Sequence, residues 1–304
     1  MSHTINDNLA VERDPHELLH IFENAEDLPT LPEVAVRLQE TVNDPRSGAK
    51  DVAKIIENDP AIATKVLRMV NSVFYAPAHG EEITQLTPAI ARLGFLTVTN
   101  IALSTSVFQA FSPINNPAFN RRHFWKHSIC VGIVTSILYD YCANSLTQRV
   151  SRDVAHLSGI VHDMGKILFE RYANPEFHKA IESARQQDLP VIKEEARFIG
   201  MGHDEAGAWL AAKWHLGKEI QSVVRYHHNP LDCPDKDSHA LLKLVHMADY
   251  ICHMQGLGDS GNCNAFYDQH IREELNLNPD KIAEIMDMVE LEAANSDILL
   301  SLSE

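Results

Sequence analysis

Apolar residues recur at spacings of three and four along almost the whole chain, and no stretch shows the strict apolar–polar alternation of a half-buried strand. Leu18, Leu19 and Phe22 mark a first helix, opened by Asp14 as N-cap and Pro15 as first helical residue. Leu31, Val34, Leu38 and Val42 mark a second. Asp59-Pro60 repeats the cap ahead of Ile62, Val66, Met69 and Val70. Thr87-Pro88 repeats it again ahead of Ile90 and Leu93; Gly94 closes that helix, and Val98, Ile101 and Phe108 lie on the next. Three such starts in the first hundred residues predict a compact helical bundle.

The segment SPINNPAFNRR, residues 112–122, breaks this period with two prolines and three asparagines and reads as a boundary loop. Beyond it the pattern predicts helices over Trp125–Asn144, Arg152 toward Tyr172, Pro175–Gln187, Gly202–Trp214, Lys218–His227 and Ser238–Met254. A loop over Gly256–Asn264 precedes two closing helices, the second opened by Pro279 and carrying Ile282, Ile285, Met286 and Val289. The expected fold is all-α. An N-terminal helical bundle (12–112) packs on a helical core (113–258), and C-terminal helices (259–304) fold onto that core.

Charge narrows the function. The 304 residues carry a net charge of −16, which repels nucleic-acid backbones and anionic membranes. The densest basic cluster is only Arg121, Arg122, His123 and Lys126, so the short helix pair from Thr87 to Phe108 lacks the support a DNA-binding corner needs. Five cysteines with no CxxC spacing argue against a disulfide framework or a thiolate zinc site. MSHTINDNLAVERD has no signal-peptide pattern, and the apolar run Ile129–Tyr141 is interrupted by Thr135, Ser136 and Asp140. A cytoplasmic chain with no membrane partner is expected.

One number redirects the search: there are 17 histidines. The informative ones are His127, His162 beside Asp163 in HDMGK, His203 in GHDEAG, and the pair His227-His228, with Asp249 following in MAD. His127 shares a helical face with Val131, Val134 and Leu138, so it points inward. His162 and Asp163 follow the stripe Val154, Leu157 and Val161. As helix neighbours they diverge by about 100°, supplying one imidazole and one bridging carboxylate rather than two ligands to one point. Five imidazoles and two carboxylates on five helices suit two cations of borderline hardness, Fe, Mn, Ni, Zn or Co. Such a pair activates water and holds a phosphoryl group, and Lys166, on the face of Asp163, could neutralise a phosphate oxygen. His246 and His253 flank Asp249, and His123 precedes His127 by one turn; the first two are candidates for outer support, and Cys252 for core packing.

The order H…HD…H…HH…D resembles the HD superfamily of metal-dependent phosphohydrolases. LPTLPEVAVRLQETVND, DPAIATKVLRMVNSVFY, ITQLTPAIARLG, FWKHS, HDMGKILFE, GHDEAGAWLAAKW and HH are similar to the HDOD branch over Leu28 to His228. The resemblance implies an HD-type helical core and a bacterial signalling module acting on a partner protein or a nucleotide. His127, His162, Asp163, Lys166, His203, His227, His228 and Asp249 match the ligands and lysine of the related HD-GYP cyclic-dinucleotide phosphodiesterases. The Gly-Tyr-Pro stretch of those enzymes is absent; here the chain reads HHNPLDCPDK. The resemblance thus leaves two readings open. One is a module without turnover, and the other is a phosphohydrolase of a nucleotide or cyclic nucleotide in which Asp163 bridges the metals and Lys166 holds the phosphate.

Overall fold

The computed structural model describes residues 15–26, 28, 32–44, 46–71, 82–110, 119–142, 151–262, 264 and 266–293. Among them every regular element is helical and none is a strand, as the period of the apolar positions requires. The N-terminal part comprises α1 (Pro15–Asn24), α2 (Glu33–Asn43), α3 (Ala49–Glu57), α4 (Pro60–Val70), α5 (Leu86–Leu93) and α6 (Phe95–Ala110). Helix α6 is apolar around its circumference and packs on α2, α3, α4 and α5, as a helix enclosed by neighbours should be. It also meets α8 of the second part, which follows.

That part comprises α7 (Arg121–Cys142), α8 (Arg152–Val161), α9 (Gly165–Tyr172), α10 (Asn174–Gln187), α11 (Val191–Phe198), α12 (His203–Lys213), α13 (Lys218–Tyr226) and α14 (His239–Met254). Two 3₁₀ turns, Pro230–Asp232 and Lys236–Ser238, join the last two, and α15 (Gln269–Glu274) and α16 (Pro279–Ala293) close the chain. Helix α7 is the spine, buried along most of its length against α8, α14 and α16. No described helix is long and apolar enough to cross a membrane.

Several sequence expectations meet the structure directly. The Asp59 carboxylate accepts from the Ala61 and Ile62 amides at 3.0 Å, and Gly94 ends α5 at φ +88°, where a side chain would be strained. The four described cysteines are free and buried. Asp14, Leu31, residues 112–118 of the boundary loop and Cys263 lie outside the described residues, as do the side chains of Val42 and Phe108.

Other expectations are corrected. Helix α5 starts at Leu86, so Thr87-Pro88 is not its cap. Pro88 is tolerated there because first-turn amides have no intrahelical acceptor to lose. Helices α3 and α11 were not anticipated. In α11 the buried face is Val191, Glu194, Glu195 and Phe198, and two glutamates interrupt the apolar stripe that would have announced it. The single helix expected from Arg152 to Tyr172 is broken at His162–Met164.

Helices α7 and α8 cross with almost no side chain between them. A Cβ on Gly159 would lie 2.7 Å from the Gly132 Cα, and one on Gly132 would lie 2.9 Å from the His156 carbonyl. Burial in this crossing pulls the His156 imidazole down to about 4. Below about pH 6.5 the unfolded chain takes up a proton that the fold refuses until about pH 4, so stability falls as acid is added across that window. His156→Leu should therefore lose about 2 kcal/mol less than the wild type between pH 7 and pH 4.5, read by urea unfolding. Equal losses would contradict this.

Candidate metal centre

All seven ligands expected from the sequence meet in the core of the second part. Helix α7 turns His127 inward, the α8–α9 junction supplies His162 and Asp163, and His203 opens α12. His227 and His228 follow the end of α13, and Asp249 lies on α14. One ligand atom from each of Asp163, His203, His227 and His228 falls within 4.8 Å of the others, and the same holds for His127, His162 and Asp163. Asp163 belongs to both groups. Asp249 lies beside the second, with Oδ1 2.9 Å from the His127 Nε2 and 3.7 Å from the His162 Nε2.

Two adjacent residues at the helix break reach one centre. At the α8–α9 junction the amides of Met164, Lys166 and Ile167 bond the carbonyls three residues back, a 3₁₀-like turn between the two helices. Adjacent residues of such a turn still diverge, by about 100–120°, yet the side chains of His162 and Asp163 both reach the group that includes His127, with the His162 Nε2 3.5 Å from the Asp163 Oδ2. The junction needs Gly165. A Cβ there would lie 1.9 Å from the His203 carbonyl oxygen and 2.6 Å from the Gly207 amide nitrogen. Gly258, at φ +81°, does the same on the far side, where a Cβ would lie 2.3 Å from the His127 amide nitrogen.

The imidazoles are turned as cation ligands should be. The His162 Nδ1 lies 2.7 Å from the Gly159 carbonyl and the His227 Nδ1 3.0 Å from that of Val224. A carbonyl only accepts, so each Nδ1 carries the proton and each Nε2 presents a lone pair to the centre. Those two Nε2 atoms and the Asp163 Oδ1 are buried without a hydrogen-bond partner, an arrangement that costs about 1–3 kcal/mol per atom in a protein interior and that a cation relieves. The His203 and His228 Nε2 atoms stand 2.9 Å apart. Two nitrogens about 2.1 Å from one cation at a right angle would stand about 3 Å apart, so the spacing fits.

Charge in the cluster is balanced tightly. The Lys166 ammonium donates to the Asp163 Oδ2 at 2.6 Å, and both side chains are buried. Burial pushes Asp163 up, but Lys166, His162 and His203 outweigh it and hold the carboxyl well below its usual range. Burial likewise opposes ionisation of Asp249, yet the hydrogen-bonded His127 imidazole and the neighbouring His162 imidazole keep it well below its usual range. Burial lowers the His203 imidazole, and Glu195 and Asp163 more than reverse this, pushing it up to about 9. His162 is raised against burial by Asp163 and Asp249, whereas burial wins at His227 and His228. Of the seven candidate ligands, only Asp249 (16% exposed) and His228 are partly exposed; the other five are buried.

Beyond the candidate ligands, His246 braces the backbone of His227. Its Nδ1 donates to the His227 carbonyl at 2.7 Å while its Nε2 accepts from the Asp268 amide at 3.2 Å. His123 is exposed, and Cys252 is core packing. Sequence reasoning missed Glu195, fully buried on α11. Its Oε2 accepts from both the His203 amide (2.9 Å) and the His203 Nδ1 (2.6 Å). The EE doublet in VIKEEARF was its one mark in the sequence, and no helix was expected there.

Comparison with known proteins agrees with this architecture. The HDOD domain family model matches residues 28–230. A candidate signal transduction protein from Marinobacter aquaeolei VT8 superposes with a TM-score of 0.76 at 22% identity, over 97% of this chain and 68% of that one. A candidate metal-dependent phosphohydrolase from Shewanella amazonensis SB2B gives 0.63 at 22% identity, over 92% and 97%. These likenesses establish a shared fold. An uncharacterized protein of Treponema pallidum (strain Nichols) is 22% identical over 220 residues, 71% of this chain; the chain spans 40% of that relative's length.

Proposed function

The chain belongs to the HDOD domain family, and we propose that it is a regulatory module of signal transduction with a two-cation centre, acting by binding a nucleotide or a partner protein. The observation that carries this reading is the place of Asp163 in two overlapping ligand groups. His203, His227 and His228 would hold one cation and His127, His162 and Asp249 the other, with Asp163 common to both. Donors of this kind accept Fe, Mn, Ni, Zn or Co. When bound, the pair supplies an anchor for phosphoryl oxygens and lowers the pKa of coordinated water.

The chain's own residues do the rest. Lys166 fixes the rotamer of Asp163 and offsets its charge through their 2.6 Å contact, a positioning task in addition to any contact with phosphate. The carbonyls of Gly159 and Val224 hold the protons of His162 and His227 on Nδ1 and so keep each Nε2 free. Asp249 and His228, the two part-exposed side chains of the cluster, are the ones an entering phosphate would meet first.

Hydrolysis of a nucleotide or cyclic nucleotide is the second reading, favoured by the completeness of the ligand set together with Lys166. Equilibrium dialysis of metal-loaded protein against nucleoside triphosphates, cyclic mononucleotides and cyclic dinucleotides, followed by chromatography of the bound fraction, separates the two. A nucleotide retained and recovered intact supports the binding module. Metal-dependent cleavage that His162→Ala abolishes supports the hydrolase. A failure of every nucleotide either to bind or to react would contradict both nucleotide readings.

A further inference from the structure

The imidazoles of the centre are backed differently. Behind His162 and His227 stand neutral backbone carbonyls, at 2.7 and 3.0 Å. Behind His203 stands a carboxylate, Glu195, delivered by a helix that carries no ligand of its own. The same oxygen also takes the His203 amide, one of the orphaned donors at the start of α12. One buried atom therefore fixes both the backbone and the ring of a single ligand, and the other Glu195 oxygen is buried with no hydrogen-bond partner. That expense is hard to account for by capping alone, since a capping oxygen is ordinarily supplied by the N-cap residue itself, which here is Gly202.

We propose that Glu195 is a positioning residue that makes the two cation positions unequal, tightening the one held by His203, His227 and His228 and leaving the one held by His127, His162 and Asp249 unaffected. The inference rests on the two-cation reading above. Its physical basis is that a carboxylate hydrogen-bonded to the far nitrogen of an imidazole locks the ring's orientation and tautomer and raises its donor strength more than a carbonyl does. The stimulus is local: Glu195 touches His203 and no ligand of the other position.

Cobalt(II) titration of the metal-free full chain, followed by calorimetry and visible absorbance, tests it. The wild type should take up two equivalents. Glu195→Ala should weaken one of them by about 10–100-fold and leave the other within about threefold. Glu195→Gln, which keeps an oxygen acceptor without the charge, should fall between. Adding Glu195→Ala to His203→Ala should cost nothing more, because the effect passes through that ring. In the metal-free protein, a low-field Nδ1–H resonance of His203 should be present in the wild type and lost in Glu195→Ala. If the wild type binds two equivalents and Glu195→Ala weakens both alike or neither, the inference is overturned and the centre stands. If the wild type binds none, the two-cation reading itself fails.

Discussion

Asp163→Asn should empty both cation positions together. The side chain is nearly isosteric, so the change isolates the loss of negative charge at the one residue common to both ligand groups. Affinity at each position should fall by more than the roughly 10–100-fold that follows loss of an outer hydrogen-bond partner. His228→Ala, by contrast, removes a ligand found in one group only and should spare one equivalent. The same Asp163 substitution should destabilise the metal-free protein by about 3–5 kcal/mol in urea unfolding, because the Lys166 ammonium, 1% exposed, would be left buried without its counter-charge. A variant that keeps one full equivalent of metal would contradict the shared role of Asp163.

Gly165→Ala should be nearly as damaging through sterics alone. The added methyl would stand 1.9 Å from the His203 carbonyl oxygen and 2.6 Å from the Gly207 amide nitrogen, and both are backbone atoms that no rotamer change can clear. Helix α9 must therefore move away from α12, separating Asp163 from His203, which now lie 3.0 Å apart. Overpacking of this kind costs about 1–3 kcal/mol, and backbone contacts belong at the upper end. The expected result is a urea midpoint lowered accordingly and a metal content reduced although no ligand has changed. Gly256→Ala is the control: nothing lies within 4 Å of a Cβ there, so metal content should be untouched, although its φ of +62° carries its own strain. Full metal retention in Gly165→Ala would show that the α9–α12 contact does not set the ligand geometry.

The helical class and the inward placement of His127 were legible for the same reason. Apolar spacing reports which face of a helix is buried, and His127 could be placed inward because Val131, Val134 and Leu138 share its face. What the pattern hid was local geometry. Nothing between Arg152 and Tyr172 is a proline, so the turn at His162–Met164 left no mark, and the reach of both His162 and Asp163 into the group that includes His127 depends on side-chain placement that the helical period does not report. The glycines of HDMGK and GHDEAG were visible, but the contact of Gly165 with the His203 carbonyl depends on two helices distant in sequence. Glu195 was hidden more deeply. A buried carboxylate at a core position of α11 reads as a polar interruption, which erased both the helix and its functional residue from the sequence pattern.

The two-cation centre is tested most directly by elemental analysis of the full-length protein, purified without chelators or metal-affinity steps, alongside His162→Ala and Asp249→Ala. Close to two transition-metal ions per wild-type chain, falling in both variants, is the result the geometry predicts. Absence of stoichiometric metal from the wild type, with both variants folded normally, would contradict it and leave the seven converging side chains as a buried hydrogen-bonded core.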